Sequence, residues 1–250
     1  MGNQGTSNYM HILLVHGGSH YENCWDIVKP YFENSGFNVC TVTLRGHGSN
    51  KVNGYFVSMA DYAEDVCLAA EKIGQPCILI GHSMAGMVIS AAGELRPDLF
   101  SRLVYVTAMV PERRGSRLIS LAMKYSNSET RMAAKFDFID GTFSLDSSKV
   151  KEFFYSLCEG SSEELAERYL CSQPIRPFIY RVSWSDERLG SIPKHYIECT
   201  KDCVMAVAHQ RDLQKRMRFS SVRSLESDHS PFISMPREFV ECVVDLLSNE

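Results

Sequence analysis

The stretch Cys77-Ile78-Leu79-Ile80-Gly81-His82-Ser83-Met84-Ala85-Gly86-Met87-Val88-Ile89 joins an apolar run of strand length to an apolar, small-residue helix. Between them stand Gly81, Ser83 and Gly86, with Ala85 where the second glycine of G-x-S-x-G usually falls. A strand that turns sharply into a helix forces the residue at the bend into strained backbone geometry. Small neighbours keep Cβ atoms out of that crowded turn. The side chain held at the tip is Ser83, with the Met84 N–H beside it. The spacing predicts a nucleophile elbow; the plain alternative is a βα turn with a serine N-cap.

Upstream, Met10 to Val15 is a continuous apolar run ending in His16-Gly17-Gly18-Ser19-His20. Residues 37–44 alternate and are β-branched, ending in Arg45-Gly46-His47-Gly48-Ser49. Both read as strands feeding tight polar turns. Residues 24–34 carry Trp25, Ile27, Val28, Tyr31 and Phe32 at helical spacing, and Ser58 is expected to cap a helix that runs to Ile73. Downstream, Pro97 stops the elbow helix and 102–107 supplies another strand. Further strands are expected over 194–199 and 219–225, with helices over 205–217 and from Pro236 onward. This order predicts an α/β fold: a doubly wound, mainly parallel sheet formed by 1–110 and 186–250. From Pro111 to Trp184 the rhythm changes to short amphipathic patches, read as an inserted helical cap over 111–185. Its helices are expected over 118–125, 147–158 and 162–171.

The length of 250 residues suits one large α/β domain with an insertion. A net charge of −4 gives no basic footprint, which argues against nucleic acid or an anionic membrane as partner. Nine cysteines, odd in number and without C-x-x-C spacing, fit free thiols in a reducing compartment. The stretch 1–9 is polar, with no charged start before an apolar core, so no signal peptide is expected there. No apolar run reaches membrane-spanning length. The expectation is a soluble, cytoplasmic protein.

A serine hydroxyl is a poor nucleophile until a base takes its proton, and a neutral imidazole is the natural base near pH 7. A carboxylate holds that imidazole in one tautomer. In an elbow-bearing α/β sheet the partners follow in the order Ser, Asp or Glu, His. Here Asp202 directly follows one expected strand and His229 lies in the loop after the next. Asp228 is a rival acid on the same short loop as the histidine, and Glu198 a weaker rival within a strand. Acyl transfer also needs donors for an oxyanion. Met84 N–H supplies one, and Gly18 N–H, in the loop after the first strand, the other. The His16 side chain is read as structural. Gly17, Met109, Phe138 and Phe154 are the expected substrate-binding residues, although cap aromatics and methionines more often simply pack. Arg113, Arg114 and Arg117 read as a solvated face. The histidines show no metal-ligand spacing and no nucleotide-binding glycine loop is present, so neither metal nor cofactor is expected.

Taken together, His16-Gly17-Gly18, Arg45-Gly46-His47-Gly48, the elbow, Asp202 and His229 resemble the α/β-hydrolase superfamily over nearly the whole chain. More narrowly, the chain looks like the branch of plant methylesterases and hydroxynitrile lyases with their bacterial esterase relatives. His16-Gly17-Gly18-Ser19-His20 with Trp25 downstream carries that likeness. So does Asp186-Glu187-Arg188-x-Gly190-Ser191 leading to Tyr196-Ile197-x-Cys199-Thr200-x-Asp202. The resemblance implies that lyases carry threonine where Gly17 stands and lysine directly after the catalytic histidine, where this chain has Ser230. It therefore implies hydrolysis of a small-molecule ester rather than cyanohydrin cleavage. Lyase, thioesterase, acyl-transfer or cyclising chemistry on the same triad stays open, as do a ligand-sensing role with little turnover and a homodimer.

Overall fold

The computed structural model describes residues 10–248; the polar stretch 1–9, where no signal peptide is expected, lies outside them. Apolar runs form β1 (Met10–Val15), β2 (Phe37–Val42), β3 (Cys77–His82) and β4 (Phe100–Val106). Between them lie α1 (Lys29–Asn34), α2 (Met59–Ile73) and α3 (Ala85–Leu95). The chain then leaves the sheet for β5 (Ser116–Arg117), α4 (Leu118–Tyr125), α5 (Ser128–Met132), β6 (Ala134–Asp137) and β7 (Thr142–Leu145). This excursion continues through α6 (Val150–Phe154), α7 (Ser162–Tyr169), β8 (Gln173–Pro174) and β9 (Arg181–Val182). The chain returns with β10 (Lys194–Cys199), α8 (Val207–Gln214), β11 (Ser221–Leu225), α9 (Pro231–Ser234) and α10 (Pro236–Ser248).

Six strands share one sheet in the order β11-β10-β4-β3-β1-β2, every neighbouring pair parallel. Parallel neighbours need crossovers, and the crossover helices cover both faces, which is why the four inner strands β1, β3, β4 and β10 are largely buried on both sides while the edge strands β2 and β11 are only partly so. The two-residue alternation sorts them into two cores. Leu13, Val15 and Leu79 pack with Tyr62, Val66 and Val88 on one face. Ile12, Leu14, Ile78 and Ile80 pack with Trp25, Phe32 and Phe239 on the other. Because all strands run the same way, their C-terminal ends share one edge: Val15 lies beside Gly81, and His82 beside Val106. Loops leaving that edge carry the site.

Local signals set the helix limits. Ser58 and Asp61 form a reciprocal capping box on α2, which stops at Gly74 with φ +77°. The helix expected over 24–34 is split into a 3-10 turn at Glu22–Trp25 and α1, because Pro30 fits only a first helical turn. The cap is also not purely helical. β6, β7 and β8 form an antiparallel sheet, and β5 pairs with β9. Phe136 faces Phe143 across the β6–β7 pair, but both strands are only partly buried. Their period-two pattern therefore lacks the continuous apolar run that marks the central strands. No described helix is long and apolar enough to cross a membrane.

Candidate active site

Ser83 stands between β3 and α3 with φ +55°, a conformation that strains any residue other than glycine. Its N–H donates to the Val106 carbonyl at 3.1 Å, and its own carbonyl accepts from Met109 N at 3.0 Å. The bend is thereby stitched to the end of β4. A Cβ at Gly81 would lie 2.8 Å from Ile89 Cγ2, and one at Gly86 only 2.2 Å from the Met109 carbonyl oxygen. Ala85 is fully buried at the position usually held by glycine, so one methyl fits there.

His229 Nε2 lies 2.9 Å from Ser83 Oγ, and its Nδ1 lies 2.7 Å from Asp202 Oδ2. A carboxylate only accepts, so Nδ1 carries the proton and the bare Nε2 can accept the Ser83 hydroxyl. Asp202 is itself fixed. Its Oδ1 accepts from Val204 N at 2.7 Å and Met205 N at 2.8 Å, and its Oδ2 also accepts from Thr107 Oγ1. The rival acids face elsewhere. Asp228 accepts from Ser230 N, Ser234 Oγ and, from the cap, Leu157 N. Glu198 accepts from Arg211, Gln214 and Ser224.

The loop after β1 is held peptide by peptide. His16 Nδ1 donates to the Gly17 carbonyl at 2.9 Å, while His16 Nε2 accepts from Leu44 N at 3.1 Å. A trans peptide points its N–H opposite its carbonyl, so this bond fixes the direction of Gly18 N–H. His20 Nδ1 donates to the Gly18 carbonyl at 2.8 Å, and His20 Nε2 accepts from Tyr155 of the cap at 2.7 Å. Gln173, also of the cap and fully buried, accepts from Ser19 N at 2.9 Å and from His47 Nε2 at 3.0 Å. Among the described residues the Gly18 and Met84 amides have no acceptor, and both residues line the cavity above Ser83.

Burial keeps the surrounding imidazoles neutral. Desolvation holds His82 and His16 well below the ordinary histidine value, lowers His47, and pulls His20 down to about 4. His82 Nε2 donates to the His229 carbonyl at 2.8 Å, and the two rings lie 4.7 Å apart. A neutral His82 there leaves room for positive charge on His229. Arg45 ties the loop after β2 to α2 through Asp61, Glu64 and Asp65 at 2.6–2.9 Å.

A cavity of about 290 Å³ opens above Ser83. Gly18, Met84, Met109 and Phe154 line it, as expected residues; Phe136, Phe143 and Ile175 of the cap line it too. Gly17 is buried behind the wall, where a Cβ would lie 2.6 Å from His82 Nδ1. Phe138, expected at the pocket, is 75% exposed and outside the lining. It falls one residue past β6, in a turn where the Asp137 carboxylate accepts from Ile139 N, and stacks on the outside of Phe136. Thr107 and Gln173 are contributors that no motif marked. Among the described residues no group of three or more His, Cys, Asp or Glu could hold a metal ion.

The family profile for alpha/beta hydrolases matches residues 12–242. The putative chloroplastic methylesterase 11 of Arabidopsis thaliana is 30% identical over 247 residues. That alignment covers 94% of this chain, and the chain spans only 63% of the length of that relative. A pyrethroid hydrolase of Sphingobium wenxiniae is 27% identical over 252 residues, covering 94% of this chain and 86% of its own. Among solved structures, polyneuridine aldehyde esterase superimposes with a TM-score of 0.86 at 25% identity, covering 96% of this chain and 100% of that one. With the profile matched over most of its length, the chain belongs to the alpha/beta hydrolase family.

Proposed function

We propose that this enzyme hydrolyses small carboxylic esters through an acyl-enzyme on Ser83. The observation that carries the reading is the unbroken line Ser83–His229–Asp202 beside two unpaired amides, with Ser83, Gly18 and Met84 all lining one largely apolar cavity. Ser83 Oγ attacks the ester carbonyl as His229 Nε2 takes its proton, and Asp202 balances the imidazolium. The oxyanion lies between Gly18 and Met84 N–H. Collapse expels the alcohol, which takes the proton back from His229. Water, activated by the same imidazole, then releases the acid. The named relatives, a methylesterase, a pyrethroid hydrolase and polyneuridine aldehyde esterase, support ester chemistry for this chain. The volume, at the small end of ligand pockets (about 300–1,000 Å³), and the apolar lining favour a small lipophilic ester. Gly17 lacks the threonine hydroxyl, and Ser230 the lysine charge, that the resemblance implies for cyanohydrin cleavage. The free thiols of all nine cysteines support work in the cytoplasm.

The test is Ser83→Ala in the full chain. Turnover of a chromogenic short-chain ester should disappear while the circular dichroism spectrum and melting temperature stay unchanged. Wild-type rates in that variant would refute the assignment.

A further inference from the structure

Ser19 occupies the turn of the loop that presents Gly18 N–H, and its side chain is unaccounted for. The residue is only 2% exposed, yet its Oγ has no hydrogen-bond partner among the described residues and is not sealed into the interior. Ser19 lies in the cavity wall with Gly18, Ser83 and Met84. Its backbone is at φ +58°, where glycine would sit without strain. That conformation is enforced from both sides: Ser19 N–H donates to Gln173 Oε1 at 2.9 Å, and the Ser19 carbonyl accepts from Cys171 N at 2.8 Å. The cap thus pins a strained serine in the wall of a largely apolar space, with its hydroxyl unpartnered among the described residues. A hydroxyl open to the cavity and without a partner in the protein is free to donate to whatever acceptor a bound ligand presents. The strongest acceptor that ester cleavage creates there is the oxyanion, next to the amide of the residue preceding Ser19.

We propose that Ser19 Oγ–H is a third donor to the oxyanion, beside the Gly18 and Met84 amides. This rests on the ester-hydrolase reading above. Because the charge exists only as the tetrahedral intermediate forms, the contact acts on kcat rather than on substrate binding.

The experiment uses the full chain, Ser19→Ala and Ser19→Gly, with p-nitrophenyl acetate and a methyl ester as substrates. Loss of one such donor should lower kcat about 100- to 1,000-fold in both variants, alike on both esters, with KM within about twofold. An unchanged kcat, or a raised KM alone, overturns the proposal. So does a wild-type kcat in Ser19→Gly with a loss in Ser19→Ala, which would make the effect one of backbone strain. A second readout is the rate of Ser83 phosphonylation by a p-nitrophenyl alkylphosphonate. There an Oγ–P bond forms, p-nitrophenolate leaves, and His229 takes the Ser83 proton. Ser19→Ala should slow that rate similarly. If the wild type is labelled but turns over no ester, the ester-hydrolase reading fails while the labelling rates still decide the role of Ser19. A wild type that is neither labelled nor active overturns both.

Discussion

Three residues other than glycine hold a positive φ among the described residues: Ser19, Ser83 and Thr107. All three border the site, the pattern expected where backbone strain of order 1–3 kcal/mol per residue is kept for placement. Thr107 sits at +38° just past β4, and its hydroxyl donates to the same Asp202 oxygen that receives His229 Nδ1. Removing that hydroxyl leaves the oxygen that faces the imidazole one donor short, with only the Oδ1 side of the carboxylate still held by backbone amides. Thr107→Ala should therefore lower kcat about tenfold, while Thr107→Ser keeps most of it, on the scale of a lost bond to a charged group. Steady-state kinetics on one ester checks this, and equal losses in both variants would contradict it. That Ser83, Asp202 and His229 come together was legible because each follows a strand in a fixed order along the chain. Thr107 was not: its partner lies 95 positions away, and a lone threonine after a strand carries no signal of its own. Gln173 was hidden likewise, 126 positions from His47 and in a segment with no clear periodicity.

Among the elements, the elbow and its helix leave the least room for change. α3 begins directly beneath the loop after β4, so Gly86 packs backbone against backbone. A methyl there would meet the Met109 carbonyl oxygen at 2.2 Å and the Ala108 methyl at 2.8 Å. Neither neighbour is the end of a flexible side chain. Gly86→Ala should cost about 1–3 kcal/mol, as overpacking does, despite alanine's higher helix propensity. Thermal melts would read the loss as a lower Tm; a rise would show that the contact relaxes freely. The central strands and the capped helix α2 were readable because their signals are local: runs buried on both faces, a capping box, a glycine stop. The cap strands were not. Ala134–Asp137 and Thr142–Leu145 are partly exposed, and two such short runs resemble frayed helix in sequence.

The molecule as a whole encloses an unusual concentration of imidazole. His16, His20, His47 and His82 are all fully buried, and burial keeps each from protonating at its ordinary value. In the unfolded chain they titrate near pH 6.5. Their contribution to stability is whole above that pH and is lost as pH falls toward the depressed native values, because only the unfolded chain then takes up protons. For His20, with a native value of about 4, the loss reaches about 2 kcal/mol by pH 5. Tm should be level above pH 7 and fall steadily between pH 6.5 and 5 in scanning calorimetry. A flat profile across that window would contradict the neutral-core account. Two of these histidines also join the cap to the sheet, His20 through Tyr155 and His47 through Gln173. Those links make the insertion a poor candidate for modular exchange. A chimera that imports another cap must bring, or find in its host, the matching imidazoles. Lineages of this architecture should therefore inherit their caps together with the loops after β1 and β2, while the β6–β7 hairpin that lines the cavity drifts independently.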